Sequence, residues 1–165
     1  MAASDQSPKA PAESAPPAPS VLERLRRNRM GMALGALVVA IIVSLALSIL
    51  VPDSHVLLAL TMLGAIVAAA VGFTVRTLDR TRGWVAQGTA FIAAALGTHI
   101  MATTGLVNQA IDEAHGVADL LRLGASSGLG WDDAVLTALA TPTMSTGALL
   151  AGIVAAIIAG WGQRA

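Results

Sequence analysis

The chain has no cysteine in 165 residues, and its four longest apolar runs contain no Asp, Glu, Lys or Arg. The first absence excludes disulfides, thiolate metal sites and cysteine nucleophiles. The second argues against proton-coupled carriers and voltage sensors, which depend on charge held inside the membrane. Catalytic spacings are missing as well. There is no H-E-x-x-H, no H-x-x-x-H and no G-x-S-x-G, and the Gly124–Gly130 stretch lacks the lysine and strand context of a phosphate loop. Ser126, Ser127 and Ser145 stand in no register with a base. These absences point away from an enzyme, and nothing in the sequence calls for a cofactor.

What is present is apolar. Hydrophobic residues make up 55% of the chain and charged residues 12%, with a mean hydropathy of +0.72, so a water-soluble fold would leave much of this surface uncovered. The uncharged runs fall at about 30–51, 56–75, 84–107 and 144–161. Each supplies the ~20 residues that a helix rising ~1.5 Å per residue needs to cross ~30 Å of hydrocarbon. The expected fold is an all-α integral membrane protein of four transmembrane helices occupying residues 21–165.

The bases fix an expected orientation. Lys9, Arg24, Arg26, Arg27, Arg29, Arg76, Arg80, Arg82 and Arg164 fall on one side of the spans, and only Arg122 falls on the other. The positive-inside rule makes the crowded side cytoplasmic. Both termini and the 76–83 loop are then inside, and the 52–55 turn and the 108–143 segment outside. Acids show the reverse bias, so nine bases meet four acids inside, and one base meets six acids outside. Trp84 and Trp161 fall at inner span ends, where an indole favours the interface. Arginine exceeds lysine nine to one and alanine is abundant, which suggests a GC-rich bacterial genome and hence the plasma membrane. A cleaved signal peptide is the competing reading of the first run. That run is longer than the ~7–15 residues of a signal h-region and no A-x-A site follows it, so an uncleaved anchor is expected.

Residues 1–20 are Pro, Ala and Ser without an apolar period, and read as a disordered cytoplasmic tail. The basic stretch 21–30 extends the first span and lays arginines against anionic headgroups. In the 108–143 segment, Val107, Ala110, Ile111, Ala114, Ala118 and Leu121 share one helical face opposite Asn108, Asp112, His115, Asp119 and Arg122. This predicts a short amphipathic helix outside, lying on the membrane or capping the bundle. A second short helix should begin near Trp131, with Asp132 and Asp133 in its first turn, and end by Thr141 because of Pro142. Thr141 and Pro142 suit the N-cap and first position of the last span.

Small residues recur at four-residue spacing in every span. Gly31–Gly35 and Ser44–Ser48 lie in the first, Gly64–Ala68–Gly72 in the second, and Ala86–Ala90–Ala94–Thr98–Ala102 in the third. The fourth carries two rows, Gly147–Ala151–Ala155–Ala159 and Gly152–Ala156–Gly160. Such rows let helix backbones approach closely, which drives association in lipid. Two rows on one span imply a surface left over for a partner or a second copy.

His99 is the one ionisable residue inside a run, about 15 residues or ~22 Å from Trp84. It reads as a structural tie, bonded to Thr61 or to a backbone carbonyl of a neighbouring helix. His55, His99 and His115, with Asp112 and Asp119, form a candidate N/O metal set on the outer half. A solvated acidic face, with Arg122 pairing Asp119, explains the same spacing. Nucleic-acid binding does not fit, since the arginines hug the membrane boundary without interleaved aromatics. The functional expectation is a non-enzymatic accessory or assembly subunit of a larger membrane complex, whose partners are the lipid bilayer and other membrane subunits or further copies. The alternative is a small oligomeric channel or carrier lined by Gln87, Thr89, Thr98, His99, Thr103 and Thr104.

The orientation is testable with reporters. Fusions after Ser20, within 77–82 and at Ala165 should read cytoplasmic, and one within 124–130 external. A cytoplasmic reading at 124–130 breaks the four-span scheme.

Overall fold

Apolar side chains on three sides of a helix leave little choice but to bury some against other helices and the rest in lipid. The structure, a computed structural model, describes residues 20–21, 23–24, 29–51, 56–78, 83–113 and 131–161. Among these residues it is almost wholly helical, without strands. The helices are α1 (Arg29–Leu50), α2 (Leu57–Leu78), α3 (Trp84–Glu113), α4 (Trp131–Ala140) and α5 (Pro142–Gly160). All but α4 are long and apolar enough to cross a membrane, which makes this a multi-pass membrane protein.

The bundle is built around α3. It packs against each of the other four helices, α2 packs against α1, α3 and α5, and α1 and α5 stand at opposite corners. Half of the most apolar window of α3 is buried, against 22% for α1. Packing pairs give the directions. Gly35 of α1 lies beside Leu78 at the end of α2, so those two helices are antiparallel. Gly64 meets Ala151 and Gly72 meets Ile158, so α2 and α5 run parallel; Gly152 meets Phe91 and Gly160 meets Gln87, so α5 opposes α3.

The core is made mainly of small residues, with valines of α2 and a few larger side chains among them. Ala36 and Ala40 of α1, Val67, Ala68, Val71 and Val75 of α2, Ala86, Ala90 and Ala94 of α3, and Ala151, Ala155 and Ala159 of α5 form one buried cluster. A second cluster joins Leu60, Met101, Ala102, Ala138 and Met144. Outside, Leu34, Val38, Ile42, Leu45 and Ile49 make a continuous exposed stripe on α1, and Leu149, Leu150, Ile153 and Ile157 do the same on α5. Large aliphatic groups thus face lipid while small ones face protein, the arrangement expected where packing rather than water expulsion holds helices together.

Two expectations change. Both rows on α5 are used inside the protomer: Gly147, Ala151 and Ala155 face α2, while Gly152 and Gly160 face α3. The last span sits in the notch between two helices and needs small residues on two faces, so the rows are not spare surface. Helix α3 also continues past Val107 to Glu113 without a break. The start of the amphipathic pattern is therefore a direct extension of the third span, because no Gly or Pro interrupts 106–113. The remainder of that pattern lies outside the described residues, as do residues 1–19.

Helix α4 follows the sequence closely. It opens at Trp131 with Asp132 and Asp133 in its first turn, and buries Ala134 and Ala138. Thr141 then takes extended geometry, φ −81° and ψ 113°, as N-cap of α5 with Pro142 after it. Its hydroxyl does not cap α5. It donates instead to the Thr137 carbonyl at 2.7 Å, and the Ser145 hydroxyl donates to the Leu139 carbonyl at 2.7 Å. The Leu139 carbonyl is one that the end of α4 would leave open, while the Thr137 carbonyl also accepts from the Thr141 amide at 2.9 Å.

Glycines separate close contact from open space. A Cβ at Gly152 would stand 2.8 Å from the Phe91 ring and 3.0 Å from its carbonyl, whereas at Gly88 it would meet nothing. Gly152→Ala should therefore lower the melting temperature in detergent. Gly88→Ala should raise it, by up to about 1 kcal/mol of helix propensity. Equal effects would show that α3 and α5 are not in contact at Gly152.

Candidate functional site

The polar groups of the spans collect on α3, because the other spanning helices carry only hydroxyls besides Arg29 at the start of α1 and the half-buried Arg76 in the last turn of α2. Most of these hydroxyls are satisfied locally. Thr89 donates to Val85, Thr103 to His99 and Thr104 to Ile100, at 2.7–2.9 Å, each to a carbonyl four residues back. A threonine bonded in this way presents its methyl group to its surroundings. Of the proposed pore-lining set, Thr89, Thr103 and Thr104 are occupied by their own helix.

The exceptions sit at one level. Ser44 Oγ on α1, Thr98 Oγ1 and His99 Nε2 on α3 are buried without a hydrogen-bond partner. Gly97 brings the first two levels together, since a Cβ there would lie 2.9 Å from Ser44 Oγ and 3.2 Å from the Ala40 carbonyl. Thr98 points the other way, its methyl 3.4 Å from where a Gly64 Cβ would be. Residues 97, 98 and 99 thus face successive sides of α3, about 100° apart. A buried hydroxyl without a partner is costly in apolar surroundings, so among the described residues this girdle is the least satisfied polar part of the fold.

His99 does not bond Thr61. The Thr61 hydroxyl is exposed and donates to Leu58 at 2.9 Å. His55, His115 and Asp119 lie outside the described residues, as does the side chain of Asp112, and among the described residues no group of metal-ligating side chains assembles. At the far end of α3, the Asn108 amide donates to the Ser48 carbonyl across 3.5 Å, closing one of the open carbonyls of α1. A shallow groove of about 210 Å³ opens between the starts of α2 and α5, lined by Leu57, Thr61, Pro142, Thr143, Thr146, Gly147 and Leu150. The Thr61 and Thr146 hydroxyls are turned back onto Leu58 and Pro142, so methyl groups line it there.

Sequence reasoning singled out Gly31, Gly35, Gly64, Ala68, Gly72, Gly147, Ala151, Gly152, Ala156 and Gly160 for packing. Gly31, Gly64, Ala68, Gly72, Gly147, Ala151 and Gly152 are buried, and Gly35, Ala156 and Gly160 half-buried. It missed Gly97, which has one of the closest backbone approaches of all. No protein-family model, curated protein or solved structure matches the chain.

The girdle predicts an unusual response to isosteric change. Replacing an unpartnered buried hydroxyl with a methyl removes a desolvation cost, so Thr98→Val and Ser44→Ala should each raise stability by about 1 kcal/mol. Thermal unfolding in detergent measures this. A fall in melting temperature would show that the hydroxyls are bonded in the native membrane.

Proposed function

We propose that this chain is a non-enzymatic accessory or assembly subunit of a larger complex in a bacterial plasma membrane, with both termini cytoplasmic. The observation that carries the reading is the position of α1. It is the least covered spanning helix, engaged on one side by α2 and α3, and its outward stripe repeats at intervals of four, four, three and four residues from Leu34 to Ile49. That spacing keeps large side chains on one line of a helix and suits knobs packing against a neighbouring spanning helix. The rest of the chain supports the same role, because glycine and alanine contacts make the protomer a solid block that can hold α1 in place. The orientation rests on the asymmetry of the bases, which gathers nine of ten on one side.

A second reading, an oligomeric channel or carrier, is favoured by the unpartnered Ser44, Thr98 and His99 at one depth. One purification separates the two. In mild detergent the subunit should bring other membrane proteins with it. Val38→Ala with Ile42→Ala should release them while leaving the melting temperature of the chain unchanged. A homogeneous homo-oligomer that passes a solute in liposomes would replace this reading with the channel.

A further inference from the structure

A proline inside a run of helix leaves a specific debt. Pro142 has no N–H, so the Ala138 carbonyl, four residues back, loses the donor that a continuous helix would supply. Its neighbours at the end of α4 are cared for: Thr137 accepts from the Thr141 amide and hydroxyl, and Leu139 accepts from Ser145. Among the described residues no donor reaches Ala138. Its side chain is fully buried, in one cluster with Met101 and Ala102 of α3 and Met144 of α5. Water is therefore a poor substitute there, and an open carbonyl at membrane depth is expensive.

The missing donor has a counterpart. His99 Nε2 is buried without a partner, three residues before Ala102 on α3. Thr103, one turn further on the same face, is fully buried, and α4 packs on α3. The C-terminal carbonyls of a helix point beyond its end along the axis, and that end carries the negative pole of the helix dipole. Ala138, two residues before the end of α4, shares one buried cluster with Met101 and Ala102, two and three residues after His99 on α3.

We infer that His99 is the C-terminal cap of α4: its Nε2–H donates to the Ala138 carbonyl through rotation of the imidazole, latching the α4–α5 elbow to α3. One orphaned donor and one orphaned acceptor meet at one depth. The latch holds α4 in place where only the small side chains of Ala134 and Ala138 are otherwise buried along it. When it opens, α4 is free to swing about Thr141, the single residue between α4 and α5 that leaves helical geometry.

The absence of cysteine makes the test direct, since nitroxide labels attach only where cysteine is introduced. Leu136→Cys and Leu96→Cys, both exposed, report the α4–α3 distance by pulsed electron resonance in lipid nanodiscs. The labelled parent and a His99→Gln variant, whose amide still donates, should give the same narrow distribution. His99→Leu should broaden it and lower the melting temperature by about 2–4 °C. Pro142→Ala, which returns an N–H to Ala138, should remove most of the His99→Leu effect. If His99→Leu fails to fold while His99→Gln behaves as the parent, the latch stands. Matching behaviour of the Gln and Leu variants, whether both silent or both unfolded, would overturn it, as would a His99→Leu defect that Pro142→Ala leaves untouched.

Discussion

Close contact between helix backbones is the constraint on which this structure depends. In lipid there is no water to expel from between two spans, so helices must gain by touching. A Cβ at Gly72 would stand 3.0 Å from the Ala155 carbonyl, one at Gly97 3.2 Å from Ala40, and one at Gly152 3.0 Å from Phe91. In each case a side-chain atom lies nearer still, and the atom at the stated distance is a backbone oxygen of the neighbouring helix. A flexible side chain can move aside; a carbonyl within a hydrogen-bonded helix cannot. These three contacts tie α2 to α5, α1 to α3 and α3 to α5, so they reach all four spanning helices.

The same constraint explains why α3 carries the chemistry. A helix enclosed on several sides needs small residues on several faces, and serine, threonine and glycine are the small residues other than alanine. The polar girdle at 97–99 follows from this geometry, with Gly97 facing α1 and Thr98 facing α2 and α5. Helix α1, at a corner, keeps large aliphatic residues over most of its circumference. The distribution of residue size around each helix is thus a map of how many neighbours it has.

That map was only partly legible in the sequence. The spans announced themselves by length and lack of charge, and the Thr141–Pro142 break by proline's missing N–H and its effect on the residue before it. The two rows on the last span were visible, but not that one protomer would use both. A row shows that a face is tight and does not show against what. Gly97 escaped notice for a related reason. The row from Ala86 to Ala102 marks only one face of α3, and Gly97 belongs to another, which meets α1. The extension of α3 to Glu113 was read as a separate helix because its outer face turns polar at Asn108, yet polarity changes at a membrane boundary without any change in backbone. His99 was legible as an exception among apolar residues, though not that its Nε2 would be buried without a partner.

Helix length completes the argument. At ~1.5 Å per residue, α3 is about 45 Å long, whereas α1 and α2 are about 33 Å. The length of α3 is more than ~30 Å of hydrocarbon needs, and with Asn108 already beside Ser48, α3 runs on past the end of α1. The fold secures this step from both directions. Asn108 reaches back to the Ser48 carbonyl near the end of α1, and α4 buries Ala134 and Ala138 as it packs on α3. A straight helix from Trp131 to Gly160 would satisfy its own backbone but would fix α4 in line with α5. The break at Thr141 frees that direction at the cost of open carbonyls, and the hydroxyls of Thr141 and Ser145 offset part of this cost. An irregular residue at such a depth persists only where neighbouring groups supply the bonds that lipid cannot. The hydroxyls of Thr141 and Ser145 are therefore part of the structural logic of the break.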